Sequence, residues 1–324
     1  MNGRMIRQIA VTALLAVAPV EAVAQTSYPE RPIQLVVGFP AGSNSDLVAR
    51  LVAQKLAESL GKPIVVENVA GGAGNIATGR VAKAAPDGYT LALTSSTQII
   101  MNPSLYRLSF DPVKDFAPIT QFCASSTILV VPNAAPMKTF QELVALAKAQ
   151  PGAFTYASGG TGSAPHMASA LLNSAAGLDI QHIPYKGVVL ALPDLLAGRV
   201  TMMFSPISVV LPTVREGRLR ALAVASLTRS SVIPNLPTVD ESGLPGFDVT
   251  VWYGLFAPAG TPDAIVGKLH LESDKALALA EVRAKLNELG MDVIGNSPDD
   301  FARTIKSEIP KWAKVIKQSG ILPD

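Results

Sequence analysis

Leu35-Val36-Val37-Gly38-Phe39-Pro40-Ala41-Gly42-Ser43-Asn44-Ser45-Asp46-Leu47-Val48-Ala49-Arg50 is the stretch on which the fold turns. It reads as a short apolar strand, a loop of small residues and the start of an amphipathic helix. Leu47, Val48, Leu51, Val52, Leu56 and Leu60 recur at three- and four-residue spacing and predict one buried helical face over Asp46–Leu60, with Gly61 as its stop. The loop between has two readings. It is a capped strand-to-helix turn in which Ser43, Ser45 or Asp46 serves as the N-cap. Or its backbone N–H groups, at the positive end of a helix, meet an anion.

The same build recurs along the chain. Ile64–Glu67 reads as a strand, followed by Gly71-Gly72-Ala73-Gly74-Asn75 and a helix to about Ala84. Tyr89–Leu93 is a strand ending in a second small polar loop, Thr94–Gln98, and 102–115 reads as irregular. Phe154–Ala157, the loop Ser158–His166 and a helix Met167–Ala176 repeat the opening pattern, and Ile180–Ile183 and Val200–Phe204 each precede another helix. Two long apolar runs break the alternation. Ile119–Val131, interrupted by Ser125, Ser126 and Thr127, and Val249–Ala257 read as crossovers between two lobes. Strands alternating with helices predict an α/β chain with a mostly parallel sheet flanked by helices in each lobe. Ligands of such sheets bind beyond the carboxyl ends of the strands, and clefts between lobes are favoured sites.

Composition narrows the function. Hydrophobic residues make up 48% of the 324 and charged ones 16%, enough apolar residues for a large core and too few charges for a disordered chain. The formal charge of +2 without a Lys/Arg run argues against a nucleic-acid partner. Arg4 and Arg7 precede the apolar run Ile9–Val20, and Ala22-Val23-Ala24 fits a small-x-small cleavage site, so residues 1–24 read as a secretory signal peptide cleaved near Ala24. That run is shorter than the roughly 20 residues a membrane span needs, and the mature chain is expected to be exported and not membrane-embedded. Cys123 is the single cysteine, so no intramolecular disulfide or thiolate cluster forms; in its apolar run it reads as a buried, inert residue.

Enzyme readings are thin. His166, His182 and His270 show no close metal-ligand spacing. Ser163 and His166 lie near each other without a Gly-x-Ser-x-Gly elbow, which leaves an exported serine hydrolase as the alternative function. Gly72–Ala77 matches G-x-G-x-x-A but lacks the acidic residue at the following strand end that a dinucleotide site uses. Gly159–Ser163 is not a P-loop, since no Gly-Lys-Ser/Thr follows, yet its donors suit a carboxylate. No cofactor is expected. Lys186 reads as an anion-drawing group or a solvated surface charge, and Trp252 and Tyr253 as crossover packing or pocket wall.

Several stretches together resemble the substrate-binding proteins of tripartite tricarboxylate transporters, also called Bug receptors. They are Tyr28–Ile33, Gly38–Gly42 with Asp46, Val66–Asn68, Gly71–Gly74, Ala85–Thr90, Gly160–Ser163 with His166, Pro184–Gly187, Asp194–Gly198, Leu236–Thr238 and Val251–Pro258. The resemblance implies a periplasmic, two-lobed binding protein that closes on a small carboxylate (organic acid, amino acid or aromatic acid) and hands it to membrane subunits or acts as an unpartnered sensor; a monomer is expected. Lobe I is expected to comprise 25–124 and 249–324, and lobe II 125–248. Carried over, lobe I would hold the carboxylate with Phe39, Ala41, Gly42, Ser43 and Asp46, and with Thr94, Ser95 and Gln98. Lobe II would add Ser158, Thr161, Gly162, Ser163, His166, Tyr185 and Ser205. The family often has Pro-Pro-Gly-Gly where this chain has Pro40–Ser43, and an acidic residue where Ser205-Pro206 stands. No arginine lies in these loops, so the acid would be held by N–H groups, hydroxyls and water rather than a bidentate fork.

Overall fold

The computed structural model describes residues 28–319; the expected signal peptide and its cleavage site lie outside them. Lobe I opens with β1 (Ile33–Val37), α1 (Asn44–Leu60), β2 (Ile64–Asn68), α2 (Asn75–Ala82), β3 (Thr90–Ser95), α3 (Asn102–Leu105) and β4 (Phe116–Ser125). The second sheet holds β5 (Thr127–Pro132), and the chain continues through α4 (Phe140–Ala149), β6 (Thr155–Ser158), α5 (Ala164–Ala176), β7 (Gln181–Pro184), α6 (Val188–Leu196), β8 (Met202–Pro206), α7 (Ile207–Arg215) and β9 (Leu219–Val224). It returns through β10 (Val251–Pro258), α8 (Asp263–Ala278), α9 (Ala280–Glu288), β11 (Met291–Val293) and α10 (Pro298–Ser319). The strand orders are β11-β4-β10-β3-β1-β2 and β7-β6-β8-β5-β9.

The polarity of the strands fixes where a ligand can sit. β1, β2 and β3 are mutually parallel, β10 is antiparallel to both β3 and β4, and β4 therefore points the same way as β3. β4 and β5 are separated by Ser126 alone. In the second sheet β5 runs antiparallel to β8 and β9, while β6, β7 and β8 are parallel. A strand that leaves one sheet at its carboxyl edge thus enters the other against the grain. Besides the edge strand β11, antiparallel to β4, the reversed strands are β5 and β10, which lie in the two crossovers; periodicity indicates their positions but not their sense. The carboxyl edges of both sheets therefore face each other across residues 125–127. The two crossings run side by side there: Ala225 N–H donates to Thr127 O and Val249 N–H to Ala225 O, both 2.8 Å, and Ser125 pairs with Val251.

Helices that follow the strands begin at this junction. α1 starts at Ser43, whose side chain accepts from Asp46 N–H, and stops at Gly61 with φ 68°, where a left-handed residue needs no Cβ. Its buried face is Val48, Ala49, Val52, Ala53 and Leu56, while Leu47, read as part of that face, is partly exposed. Burying Leu56 alone is worth roughly 1.5–3 kcal/mol. α5 begins three residues earlier than its apolar pattern indicates, at Ala164, because Pro165 fits the first turn, where no N–H is needed. Thr94–Gln98, expected as a loop, is largely ordered: β3 runs to Ser95, and a π-type turn Thr97–Met101 leads into α3, within the stretch read as irregular. Buried Ile99, Ile100 and Met101 explain that turn.

Thr261 stands two residues before α8; its hydroxyl donates to Pro258 O, and Pro262 directly precedes the helix. β11, unread in the sequence, is a three-residue edge strand. Near the C-terminus, α10 buries Phe301, Ile305, Trp312 and Ile316 in one apolar cluster with Phe256 of the first sheet and Leu129, Met167 and Phe204 of the second lobe. Cys123 is fully buried, and burial pushes its thiol well above the ordinary range.

Candidate ligand-binding cleft

A cavity of about 750 Å³ lies where the two carboxyl edges meet. From the first lobe, Phe39, Gly42, Ser43, Asn44 and Ser45 reach it, with Ser95 and Thr97 beyond β3 and Ala73 from the glycine loop. The crossovers supply its floor: Ser125, Thr127, Val251 and Tyr253. From the second lobe come Gly159 and Thr161–Pro165, then Lys186–Leu190, and finally Pro206 and Val209. The starts of α1 and α5 thus both line one cavity. The first N–H groups of an α-helix have no partner within the helix, so both ends suit an anion. Among the described residues, Lys186 is the one charged side chain in the lining, and no carboxylate is among it.

The α1 loop is shaped from beneath. Gly42 N–H donates to Asp46 Oδ2 at 2.9 Å, Arg50 Nε to the same oxygen at 3.0 Å, and Asn68 Nδ2 to Asp46 Oδ1 at 2.9 Å. Asn68 Nδ2 also donates to Phe39 O at 3.0 Å. Burial pushes the Asp46 carboxyl up, but the hydrogen bonds from Arg50, Gly42 and Asn68 outweigh it and hold the group below the ordinary aspartate range. Gln98 is a second strut. Its Oε1 accepts from Ser95 N–H and Ser95 Oγ, and its Nε2 donates to Gly74 O and Thr78 Oγ1. Gly38 and Gly74 make room for it: a Cβ on Gly38 would stand 2.6 Å from Gln98 Nε2 and 2.8 Å from Gly74 Cα.

The α5 loop is held in the same way. Ser158 Oγ lies 2.7 Å from His182 Nε2 and accepts from Gly160 N–H at 3.0 Å. Ser163 Oγ donates to Gly160 O at 2.7 Å, and Gly162 N–H donates to His166 Nδ1 at 3.0 Å. The His166 and His182 rings stack 4.1 Å apart within 6° of parallel, with the Tyr156 ring 4.9 Å from His182 and 6.2 Å from His166. Ser163 and His166 are both engaged with loop backbone, which does not favour a nucleophile–base pair.

Seven of the residues singled out in the sequence line the cavity: Phe39, Gly42, Ser43, Ser95, Thr161, Gly162 and Ser163. The other eight do not. Asp46, Gln98, Ser158 and His166 support the loops from behind. Ala41 is an exposed turn residue. Thr94, fully buried behind Ser95, has a hydroxyl without a partner among the described residues. The Tyr185 hydroxyl turns away to Asp194 Oδ2 at 2.8 Å, and Ser205, fully buried, donates to Pro206 O. Asn44, Ser45, Thr97, Ser125, Thr127 and Tyr253, absent from the expected contacts, also line the cavity. The polar interruption of the first crossover was a legible signal for Ser125 and Thr127. Tyr253 is buried, its hydroxyl hydrogen-bonded with the Asn44 side chain, and burial raises its pKa. Thr127 Oγ1 is buried and makes no hydrogen bond among the described residues. Among those residues no cluster of three or more His, Cys, Asp or Glu side chains is placed to hold a metal, and no helix is long and apolar enough to cross a membrane.

Comparison with known proteins gives the same picture. The family profile described as "Tripartite tricarboxylate transporter family receptor" matches residues 48–321. Protein BugT of Bordetella pertussis is 36% identical over 323 residues, covering 98% of each chain. Among solved structures, R. palustris Rpa4515 with adipate is 34% identical with a TM-score of 0.80, covering 92% of this chain and all of that one. MatC (Rpa3494) from Rhodopseudomonas palustris, with bound malate, is 35% identical with a TM-score of 0.76, covering 89% of this chain and all of that one. Such neighbours share the two-lobed architecture of periplasmic binding proteins. The chain belongs to the tripartite tricarboxylate transporter receptor family, the Bug receptors, which are solute-binding proteins.

Proposed function

We propose that this chain is a periplasmic, monomeric receptor that captures a small carboxylate between its lobes and delivers it to the membrane subunits of a tripartite transporter. The observation that carries the reading is the convergence of two helix starts, α1 and α5, on one 750 Å³ cavity lined by a single cation and no acid. Relatives solved with adipate and malate support it. In this reading lobe I comprises 25–124 and 249–324, and lobe II 125–248. Asn44 and Ser45 offer N–H groups and Ser43 and Ser45 hydroxyls from one side, Thr161 its hydroxyl from the other, and Thr127 its hydroxyl from the floor. Phe39 walls the site and Tyr253 lies in its floor. The lobes close about the paired crossings at 125–127 and 249–251, which are short and sit side by side, as a hinge requires.

Thermal unfolding of the mature protein with succinate, adipate, hexanoate, benzoate and glutamate tests this. A ligand that binds only the folded state stabilises it by RT ln(1 + [L]/Kd), about 2.7 kcal/mol at a hundredfold excess over Kd. At least one acid should raise the melting temperature in a concentration-dependent way and be recovered chemically unchanged. No shift with any of them, or consumption of the acid, would refute the receptor reading.

A further inference from the structure

We infer, building on the carboxylate-receptor reading, that the ligand is a carboxylate with a hydrocarbon body and no ammonium group. Two sets of observations point to it. The first concerns what the wall of the second lobe offers beyond the α5 loop. Apart from Thr161 in the α5 loop, its nearby hydroxyls are committed: Ser163 Oγ to Gly160 O, the Tyr185 hydroxyl to Asp194, Ser205 Oγ to Pro206 O. What remains toward the cavity is Val188, Val189 and Leu190 at the start of α6, with Pro206 and Val209 at the start of α7. Val189 and Leu190 are 63% and 61% exposed, large apolar side chains left facing water at the rim of a cleft. Phe39 and Val251 add apolar surface to the same cavity. A ligand with a chain or ring along this wall removes that surface from water.

The second set concerns charge. An amino acid places an ammonium beside its carboxylate, and that ammonium needs an acceptor of opposite charge once it leaves water. The lining holds no Asp or Glu, and its one charged group is the cation Lys186. Asp46, the nearest acid in sequence to the α1 start, is already covered by Gly42 N–H, Arg50 and Asn68. Both helix ends that reach the cavity carry partial positive charge and repel a second cation. The cleft therefore rejects the ammonium and tolerates a second carboxylate at the mouth beside Lys186.

Titration calorimetry with the mature protein tests the inference with matched acids. Glutarate and 3-phenylpropanoate should each bind at least tenfold more tightly than glutamate and phenylalanine, which add only the ammonium. From butanoate to octanoate, affinity should rise by about fourfold per methylene, as for burial of a CH2 group, until the cavity is filled. The double variant Val189→Ser/Leu190→Ser, at exposed positions and checked for an unchanged unliganded melting temperature, should bind octanoate at least tenfold more weakly and flatten that series. Glutamate or phenylalanine binding as tightly as its amine-free partner, or a flat series in the unaltered protein, would overturn this inference alone. No binding by any acid would overturn the receptor reading itself.

Discussion

Asp46→Asn tests whether the loop over the cleft is held by a buried charge. The carboxylate accepts from Gly42 N–H, Arg50 Nε and Asn68 Nδ2 at 2.9–3.0 Å, and its side chain is 2% exposed. An asparagine keeps one acceptor oxygen and turns the other into a donor. If that oxygen stays with Gly42 and Arg50, the new amide faces Asn68 Nδ2. Asn68 cannot turn over cheaply, because the same nitrogen donates to Phe39 O and its Oδ1 accepts from Arg50. One buried donor is then unmatched, at about 1–3 kcal/mol, and the remaining hydrogen bonds lose charge assistance worth about 1 kcal/mol each. The Arg50 side chain is 53% exposed, so its share is discounted for solvent screening. The net expectation is a loss of about 2–4 kcal/mol, or a urea midpoint lower by about 1 M at an m-value near 3 kcal/mol/M. The two tryptophans, Trp252 and Trp312, are buried and report unfolding by fluorescence.

The pH dependence has a definite sign. The Asp46 pKa is depressed below its ordinary 3.8 in the folded state, so its stabilisation is complete above about that pH. It is lost as pH falls through the lower folded value. The difference between parent and variant should hold from pH 5 to 8 and shrink below pH 4. A midpoint change under about 0.3 M, or a difference that persists undiminished in acid, would refute the argument.

Three further outcomes follow from other contacts. Glu308, which accepts from Trp252 Nε1 at 2.9 Å, has its pKa raised mainly by burial, so folding loses stability as pH rises through the folded value; Glu308→Gln should keep the hydrogen bond and raise the melting temperature at pH 8, but not below the ordinary glutamate range of 4.5. Gly38→Ala places a Cβ within 2.9 Å of Gly74 backbone, and should lower stability by about 1–3 kcal/mol in denaturant titration while weakening carboxylate binding through displaced Gln98. Tyr185→Phe should leave carboxylate affinity within twofold in calorimetry, because the hydroxyl serves Asp194 rather than the cleft.

Local patterns carried most of the fold. Small-residue loops between apolar strands and capped helices marked α1, and the two long apolar runs marked the crossings, because each is a contiguous signal. Strand sense at β5 and β10 was not legible, since direction within a sheet is a long-range property that no local period encodes. The site divided along the same line. Residues at helix starts, such as Ser43 and Ser163, reach the cavity because backbone direction places them there. Asp46, Gln98, Ser158 and His166 have the chemistry of ligand contacts, and only the packed structure shows that backbone N–H groups and amides of the loops already occupy them. The apolar rim at Val188–Leu190 was invisible as a site, because three apolar residues at a helix start look like core.

Charge and hydrocarbon divide the work of closure unequally. Moving an open–closed equilibrium from 1:99 to 99:1 takes about 5.5 kcal/mol of preference for the closed form. A helix start contributes typically about 0.3–1 kcal/mol to an anion, and about 2 kcal/mol in favourable, partly buried geometry. Two such ends therefore fall short even at their best. The rim can supply the difference, since full burial of Val189 or Leu190 is worth roughly 1.5–3 kcal/mol each, and both are more than half exposed as the cleft stands. A bare anion occupies the helix starts without drawing the rim shut; a carboxylate with a hydrocarbon body engages both. In small-angle scattering at saturating ligand, octanoate should reduce the radius of gyration and acetate should not. Acetate compacting the molecule as fully as octanoate would show that the charge alone drives the lobes together.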